Sequence, residues 1–394
     1  MLVFVFAKCL VMDFCGQILG NTFVMWCCDC LNGNLVLNKN LYNFYGDGRD
    51  YMAQIKTIDL KFKYGFPNFT KTANNIYLCG SQNLILSDIW AFWDYVIKKN
   101  GYEKDFMASL LEQAKNFYIA AEKSPVNSRP LLYYYSFLNF AKVMINLEKK
   151  YGKNVTYMHG VKERNNGRFV HSEITIEAIK NHIKNVSAEL HRVLDSRTIS
   201  TSLTLNLREL LSHCVGIHRT YCEIYNMKES FCKLMDIKLI KTGRIINLSA
   251  KVQCRPEQLT ELVSIGYNVT QDENSFSWEE SYRLRSNNIT REGYYNFSQI
   301  LRDKGIWYFI GNDGYTNYLS TNPGYRYSPE FIIYNTMFYL GSITRYHPYL
   351  FNDIFSDKEQ WLMSEFLTTQ PKQFLYLSTA KILSQNVLKA YAEF

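Results

Sequence analysis

The chain has 394 residues, of which 47% are hydrophobic and 20% are charged. This length and this balance exclude an intrinsically disordered chain and a small scaffold held by disulfides. They allow two domains, or one core with a large insertion. The net charge of +8 allows an anionic partner such as RNA but does not require one, because the basic residues form only short pairs.

Residues 1–82 predict an N-terminal segment of short strands packed on the core. Alternating leucines over 35–37 indicate one strand, and alternating apolar and polar residues over 58–62 indicate another. The apolar start, residues 1–12, favours a buried strand over a membrane-targeting segment, because it lacks a basic leader and contains Lys8.

The sequence predicts a soluble, cytoplasmic protein with no membrane partner. No later stretch reaches about 18 apolar residues, the length that a membrane span needs. The cysteines do not have the density of a small secreted scaffold. We therefore expect four of them to stay reduced, namely Cys214, Cys222, Cys232 and Cys254.

Apolar residues at spacings of three and four predict three successive helices, over 88–100, 104–122 and 130–148. Ser87 or Asp88 suits the N-cap of the first helix, and Asn100-Gly101 suits its C-terminal end. Because a short turn joins the second and third helices, we expect these two to pack antiparallel.

Residues 83–236 are predicted to form the first part of a helical core. Within them, 172–192 indicate a polar helix with one exposed face, and alternating leucines over 203–207 indicate a strand before a further helix. Residues 237–325 change to strand-like segments separated by Gly-rich turns, with a short helix that starts at Pro256. This region is therefore predicted to be a β-containing insertion.

Residues 326–394 are predicted to be C-terminal helices that complete the core. The first begins at Pro329 and stops at His347-Pro348, because a residue before proline disfavours the helical conformation. Two more helices are expected over 357–367 and 372–391.

The common catalytic and cofactor motifs do not occur. The chain has no Gly-rich phosphate loop and no Gly-x-Ser-x-Gly nucleophile turn. Cys27-Cys28-Asp29-Cys30 is dense in thiols, but a zinc site usually needs a second pair of ligands, so free or buried thiols are favoured over a metal. The sequence therefore predicts no metal and no cofactor.

Arg208 and His213 are candidate catalytic residues for RNA cleavage without a metal. An imidazole transfers a proton near neutral pH, and a guanidinium holds the phosphate as charge develops. Both would share a cleft if the helix starts near Arg208, or if a second copy of the chain completes the site. The alternative is a solvated helix face that carries both residues, whereas His218 is expected to be a packed core histidine.

Two arginines at helix ends are candidates for anion binding. Arg345 shares a face with Phe331 and Phe338, so its guanidinium is expected to be partly buried and to need an acceptor. Helix carbonyls or a carboxylate are the alternatives to a bound anion. Arg129 lies beside the N-terminus of the helix over 130–148, where anions are stabilised.

Two strings of residues resemble the YaaC-like protein family, which is functionally uncharacterised. They are Arg129-Pro-Leu-Leu-Tyr-Tyr-Tyr-Ser-Phe-Leu-Asn-Phe-Ala-Lys142, followed by His159-Gly160, and Arg345-Tyr-His-Pro348. The resemblance covers roughly residues 84–391 and implies no reaction. Our candidate anion-binding residues come from these strings: Arg129, Tyr134, His159, Arg345 and His347.

A weaker resemblance links this region to HEPN proteins. The string Tyr134-Tyr-Ser-Phe-Leu-Asn-Phe-Ala-Lys142 and the loop at His159 are similar to their second helix and following loop. Many HEPN proteins are dimeric helical ribonucleases or components of toxin and defence systems with an Arg-x4-6-His motif. Arg208 and His213 match that spacing.

These features together predict an α+β protein, predominantly α-helical, with a HEPN-like helical core and a β-containing insertion. The first functional hypothesis is a binding or interaction module for RNA or for a partner protein, with antiphage defence as one setting. The second is a metal-independent HEPN-type endoribonuclease, in which a homodimer completes the site.

Overall fold

The computed structural model describes most of the chain from residue 84 onward and three strands before it. The described ranges are 14–19, 22–31, 34–38, 84–178, 183–242, 244–272, 275–285, 300, 304–311, 314–322, 327–383 and 386–390. The chain divides into two units, Met1–Gln54 and Ile55–Phe394.

The described part of the first unit is a three-stranded antiparallel sheet in the order β1-β2-β3. Its strands are β1 (Phe14–Leu19), β2 (Thr22–Leu31) and β3 (Asn34–Asn38). The leucines over 35–37 lie in β3, which confirms that strand. The strands predicted over 1–12 and 58–62 lie outside the described residues, and packing of residues 1–82 on the core stays a prediction.

The second unit mixes helices with several small sheets. Its helices are α1 (Ile89–Asn100), α2 (Lys104–Lys123), α3 (Arg129–Lys149), α4 (Val186–Asp195), α5 (Leu207–Ser212), α6 (His218–Tyr225), α7 (Pro256–Ser264), α8 (Pro329–Tyr346), α9 (Pro348–Ser356) and α10 (Glu359–Leu383). Its strands are β4 (Leu84–Leu86), β5 (Tyr157–Met158), β6 (Val161–Arg164), β7 (Glu173–Ile176), β8 (Lys184–Asn185), β9 (Leu203–Asn206), β10 (Phe231–Thr242), β11 (Ile245–Gln253), β12 (Val269–Asp272), β13 (Ser275–Arg283), β14 (Ile306–Gly311), β15 (Gly314–Ser320) and β16 (Val387–Lys389). The α+β fold class is thereby confirmed.

Helices α2 and α3 form the antiparallel pair that the sequence predicts. Tyr118 packs against Tyr133, with ring centroids 5.2 Å apart. One turn earlier in α2 and later in α3, the Ser136 hydroxyl donates to the Ala114 carbonyl at 2.7 Å. The small serine lets the two backbones approach, and its own hydroxyl is satisfied by the bond that it makes across the interface.

The polar helix predicted over 172–192 is wrong for its first half. Glu173–Ile176 is a strand, with Ile174 and Ile176 buried on one face. Apolar residues separated by one polar residue have the alternation of a strand, and this segment pairs with both β6 and β9. The helix begins only at Val186 and is largely buried rather than half exposed.

The C-terminal region also differs from its prediction. One helix, Glu359–Leu383, replaces the two expected, and it contains Pro371. Proline cannot donate the hydrogen bond of its turn, but Leu367 and Phe374 are buried on either side and hold both halves in the core. The chain then leaves the helix and ends its described part in the strand Val387–Lys389.

The predicted β-containing insertion contains a six-stranded sheet in the order β12-β13-β11-β10-β15-β14, with neighbouring strands antiparallel. One face has its own small core, which includes Leu248, Trp278 and Leu319. Phe231 and Trp307 belong instead to the large core of the helices. The sheet is therefore attached to the helical core through its β10 and β14 strands.

Helices α3, α8 and α10 pack together in the centre of the large core. Phe137 stacks on Phe374, with ring centroids 4.1 Å apart. Gly341 faces α3, and a Cβ there would lie 3.1 Å from the Tyr134 Cβ and 3.3 Å from the Pro130 carbonyl oxygen. A larger residue at 341 would therefore force the two helices apart.

A charged cluster is buried in this core. The Lys381 ammonium lies 2.8 Å from Asp195 Oδ1 and 3.6 Å from Glu330 Oε2, and each of the three side chains is at most 7% exposed. The other Asp195 oxygen lies 2.9 Å from His191 Nδ1, and the Tyr308 hydroxyl donates to Glu330 at 3.1 Å. Burial raises the pKa of Asp195, but Lys381 and His191 outweigh it and hold that pKa below its ordinary value.

The two ends of the described second unit meet in a small parallel sheet. Strand β16 pairs with β4 in the register Val387↔Leu84. Within the described residues, no helix is both long and apolar enough to cross a bilayer.

We expect Lys381→Met to lower the free energy of unfolding by about 3–5 kcal/mol, because two buried carboxyl groups lose their cation. Chemical denaturation of the full chain measures this change. Lys372→Met, on the exposed side of the same helix, is the matched control and should change stability by no more than about 0.5 kcal/mol. Equal stability of the two variants would contradict the role assigned to Lys381.

Candidate functional site

The two candidate catalytic residues lie in different surroundings. Arg208 is exposed at the start of a six-residue helix, and its Nε donates to the Tyr221 hydroxyl at 3.2 Å. It lines an open cavity of about 560 Å³ together with Asp353 and Lys358. His213 lines a different part of the molecule, so the structure does not bring the pair into one cleft of this chain.

His213 is a buried residue, 2% exposed, and not part of a solvated helix face. Its Nδ1 lies 2.8 Å from the Glu209 carbonyl oxygen, and its ring packs 5.3 Å from the Trp307 ring. Burial lowers the pKa of His213 to about 4. The prediction that His218 packs in the core is confirmed, since it is 6% exposed and accepts a hydrogen bond from the Ser230 amide at 2.9 Å.

Three of the five candidate anion-binding residues do converge. The Tyr134 hydroxyl is hydrogen-bonded to His159 Nδ1. Helix α3 also carries Lys142, two turns after Tyr134 on the same face. Lys142 and Arg345 are both near enough to His159 to lower the pKa of its imidazole. Arg345 contacts Tyr135, whose ring lies 5.8 Å from the Tyr134 ring, so Arg345 lies close to the Tyr134–His159 pair.

The loop that carries His159 is fixed by its neighbour Gly160. Gly160 has φ +67°, and a Cβ there would lie 1.9 Å from the Asn185 Cγ. The Asn185 amide fills that space and donates to the Gly160 carbonyl at 2.9 Å, while its oxygen caps α4 at the Ala188 amide. Only glycine fits here, and it sets the position of the imidazole beside it.

Arg345 is exposed, contrary to the prediction of partial burial, because the final turn of α8 extends past the core. One guanidinium nitrogen donates to the Tyr135 hydroxyl at 3.0 Å. The same guanidinium lies 4.9 Å from the centroid of the Tyr346 ring. Tyr346 is 59% exposed and Tyr349 is 67% exposed. The Arg345 cation thus contacts two tyrosines, the partly buried Tyr135 and the largely exposed Tyr346.

We define the Arg345 surface by the residues that meet at this point, which are Tyr134, Tyr135, Lys142, His159, Arg345 and Tyr346. The ionisable lysine, histidine and arginine side chains of this surface are all basic. Burial, Lys142 and Arg345 all lower the pKa of His159, and burial lowers the pKa of Lys142. Among the described residues, no carboxylate forms an ion pair with Lys142, His159 or Arg345. The surface therefore favours a negatively charged ligand.

The other two candidates make their contacts elsewhere. Arg129 Nε donates to the Ser124 carbonyl at 2.9 Å, which ties the turn before α3. The His347 ring packs 6.1 Å from the Tyr349 ring, beyond the end of α8. Sequence reasoning missed Lys142 as a site residue, although its spacing of eight from Tyr134 on a helix was a usable signal.

The described residues include no cluster of three or more metal-binding side chains. Cys214, Cys222, Cys232 and Cys254 are free thiols. The thiol-dense string at 27–30 lies in β2, and its side chains lie outside the described residues.

Comparison with known protein families decides the identity of the chain. A family model described as YaaC-like protein matches residues 80–382. The chain belongs to the YaaC-like protein family. The YaaC-like match begins just before β4, ends within the last turn of α10, and contains the whole Arg345 surface. No curated protein matched the chain. No solved structure matched it either.

The buried His213 should make stability depend on pH. Its pKa is lowered from 6.5 to about 4 in the folded state, so the unfolded state binds a proton first as the pH falls. We expect a loss that begins near pH 6.5 and approaches about 3 kcal/mol near pH 4. Denaturation across this range should show a shallower loss for His213→Gln than for the exposed control His171→Gln.

The pKa of His159 should respond to its cationic neighbours. Lys142→Met removes one of the positive charges that lower it, so the pKa should rise toward its ordinary value. An NMR titration of the His159 ring protons measures the change. Lys123→Met, an exposed lysine at the end of α2, is the control. An unchanged titration in the Lys142 variant would contradict the convergence described above.

Proposed function

We propose that this YaaC-like protein is an RNA-binding module that holds single-stranded RNA against the Arg345 surface. One observation carries the proposal: the cations Lys142 and Arg345 both lie near His159, and neither forms an ion pair with a carboxylate among the described residues. Uncompensated positive charge that is partly removed from water gains most from a phosphate, because burial weakens its solvation.

An exposed aromatic ring beside Arg345 also fits the binding of single-stranded RNA. Single-stranded nucleic acid is commonly bound by basic residues along the backbone and by aromatic rings on which the bases stack. Tyr346, whose ring lies beside the Arg345 guanidinium, is 59% exposed. The Arg345 guanidinium already lies over one face of Tyr346 at 4.9 Å, so a base stacked on that ring would lie close to the cation that binds its phosphate.

Binding is favoured over catalysis because of the placement of Arg208 and His213. A general acid or base must reach the substrate, and His213 is 2% exposed, with its ring against Trp307. A metal-independent HEPN-type endoribonuclease, a HEPN-like core, a homodimer, a cytoplasmic location and a role in antiphage defence stay predictions. The alternative binding hypothesis is that the Arg345 surface binds a partner protein.

The test is the affinity of the purified full chain for a fluorescein-labelled 12-nucleotide oligouridine, measured by anisotropy. We expect Arg345→Ala to raise Kd about tenfold or more, since it removes a charge-assisted phosphate contact. The slope of log Kd against log salt should fall by about 0.7, the contribution of one phosphate contact on a single strand. Lys142→Ala should also raise Kd and lower the salt slope.

Arg283→Ala is the matched control, because Arg283 is exposed on β13 and its removal changes the net charge equally. Its Kd and salt slope should equal those of the unmodified chain. Equal losses in both arginine variants would indicate a general charge effect and would remove the assigned surface. If the unmodified chain does not bind the oligonucleotide, the RNA proposal is wrong and the partner-protein hypothesis replaces it.

A further inference from the structure

A second cavity lies between the six-stranded sheet and the helices, apart from the Arg345 surface. It has a volume of about 570 Å³, within the range of small-molecule sites, which is roughly 300–1,000 Å³. None of its lining residues belongs to the Arg345 surface. The cavity is therefore independent of the surface proposed to bind RNA.

The floor of this cavity is a row of side chains across neighbouring strands. Lys233 on β10 is paired with Gln253 on β11 and with Tyr318 on β15. Tyr318 is paired in turn with Trp307 on β14, and Phe309 follows Trp307 on the same face. Directly paired residues project to the same face of a sheet. The sheet thus presents a lysine beside two aromatic rings.

The opposite wall is built from Gly216 and the residues around it. A Cβ at Gly216 would lie 2.4 Å from Phe309 Cε2 and 2.7 Å from Gln370 Nε2. The missing side chain lets the backbone of the short helix Val215–Ile217 approach the Phe309 ring directly. The Gly216 backbone therefore packs on one side of the Phe309 ring and holds the ring in place, and the ring lines the cavity with the rest of its surface.

Positive charge collects at the open side of the cavity. Lys233, Arg219 and Arg255 all line it. Arg219 Nε donates to Glu229 Oε1 at 3.0 Å. No carboxylate among the described residues forms an ion pair with Lys233 or Arg255, although both are exposed at the rim. The lining therefore has more positive charge than its own acidic residue neutralises.

We propose that this cavity binds a mononucleotide-like ligand, an aromatic ring that carries a phosphate. Lys233 and Arg255 hold the phosphate, and the ring lies against Phe309 and Tyr318. A phosphate alone would leave the aromatic wall unused, and an uncharged ring would leave the two cations without an acceptor. The combination of both groups in one ligand uses the whole lining.

The test is calorimetric titration of the full chain with AMP, GMP, CMP and UMP, each measured separately. At least one should bind with a micromolar Kd. Its nucleoside and inorganic phosphate should each bind at least about tenfold more weakly, since each keeps half of the contacts. Absence of binding by all four, or equal binding of inorganic phosphate, would overturn the proposal.

Two variants locate the site. Lys233→Ala should raise Kd about tenfold or more, and Tyr318→Ala should also weaken binding. Lys238→Ala is the control, since it removes an exposed lysine from the same strand but lies outside the cavity. Thermal melting of each variant confirms that it is folded. Binding that survives Lys233→Ala unchanged would exclude this cavity as the site.

A cysteine among the lining residues allows an independent measurement that needs no substitution. Cys254 lines the cavity and is partly exposed, whereas Cys214, Cys222 and Cys232 are buried. The mononucleotide that binds should slow alkylation of Cys254 by iodoacetamide, as followed by peptide mass spectrometry. Equal rates with and without the bound ligand would contradict its placement here.

Discussion

The fold depends on one buried cation. The Lys381 side chain is almost completely buried, so its charge needs the carboxyl groups of Asp195 and Glu330, which lie 2.8 Å and 3.6 Å away. These carboxylates come from α4 and α8, and Lys381 comes from α10. The Tyr308 hydroxyl adds the insertion to the same cluster through Glu330. Four parts of the chain that are distant in sequence must therefore be in place before the whole cluster of charges can form.

This constraint also places the surface residues. The first turn of helix α8 carries Glu330, which lies in the buried cluster, and its last turn carries Arg345, which is exposed. Gly341 fixes how closely that helix lies against α3 near Tyr134. The separation between the Tyr134–His159 pair and the Arg345 guanidinium is thus set by core packing and not by the loops alone. The cavity beside Lys233 is set in the same way, because Tyr308 anchors β14 while its neighbour Phe309 forms a wall.

Local signals in the sequence predicted local structure well. Asp88 caps α1 by accepting from the Trp90 amide at 2.8 Å, and Gly101 ends that helix with φ 72°. The predictions were wrong where tertiary contacts determine the secondary structure. The strand Glu173–Ile176 exists because two neighbours pair with it, and α10 continues through Pro371 because the core holds both sides.

The candidate site residues also differ in how well the sequence predicted their positions. Tyr134, His159 and Arg345 came from strings that resemble a family, and they meet in space. The spacing of Arg208 and His213 carried no information on burial. His213 directly follows a six-residue helix, and its imidazole lies in the core against Trp307, on a strand of the insertion. No periodicity within α5 could have indicated that strand, since it lies far along the chain.

The parallel pairing of β16 with β4 bears on how the protein is made. Leu84–Leu86 is synthesised long before its partner Val387–Lys389, because nearly all of the second unit lies between them in the chain. During translation, that strand edge and the apolar residues beside it wait without a partner, which exposes the nascent chain to wrong pairing. Chaperones that bind such edges during synthesis would therefore act on this protein longer than on one whose sheets close between neighbouring strands.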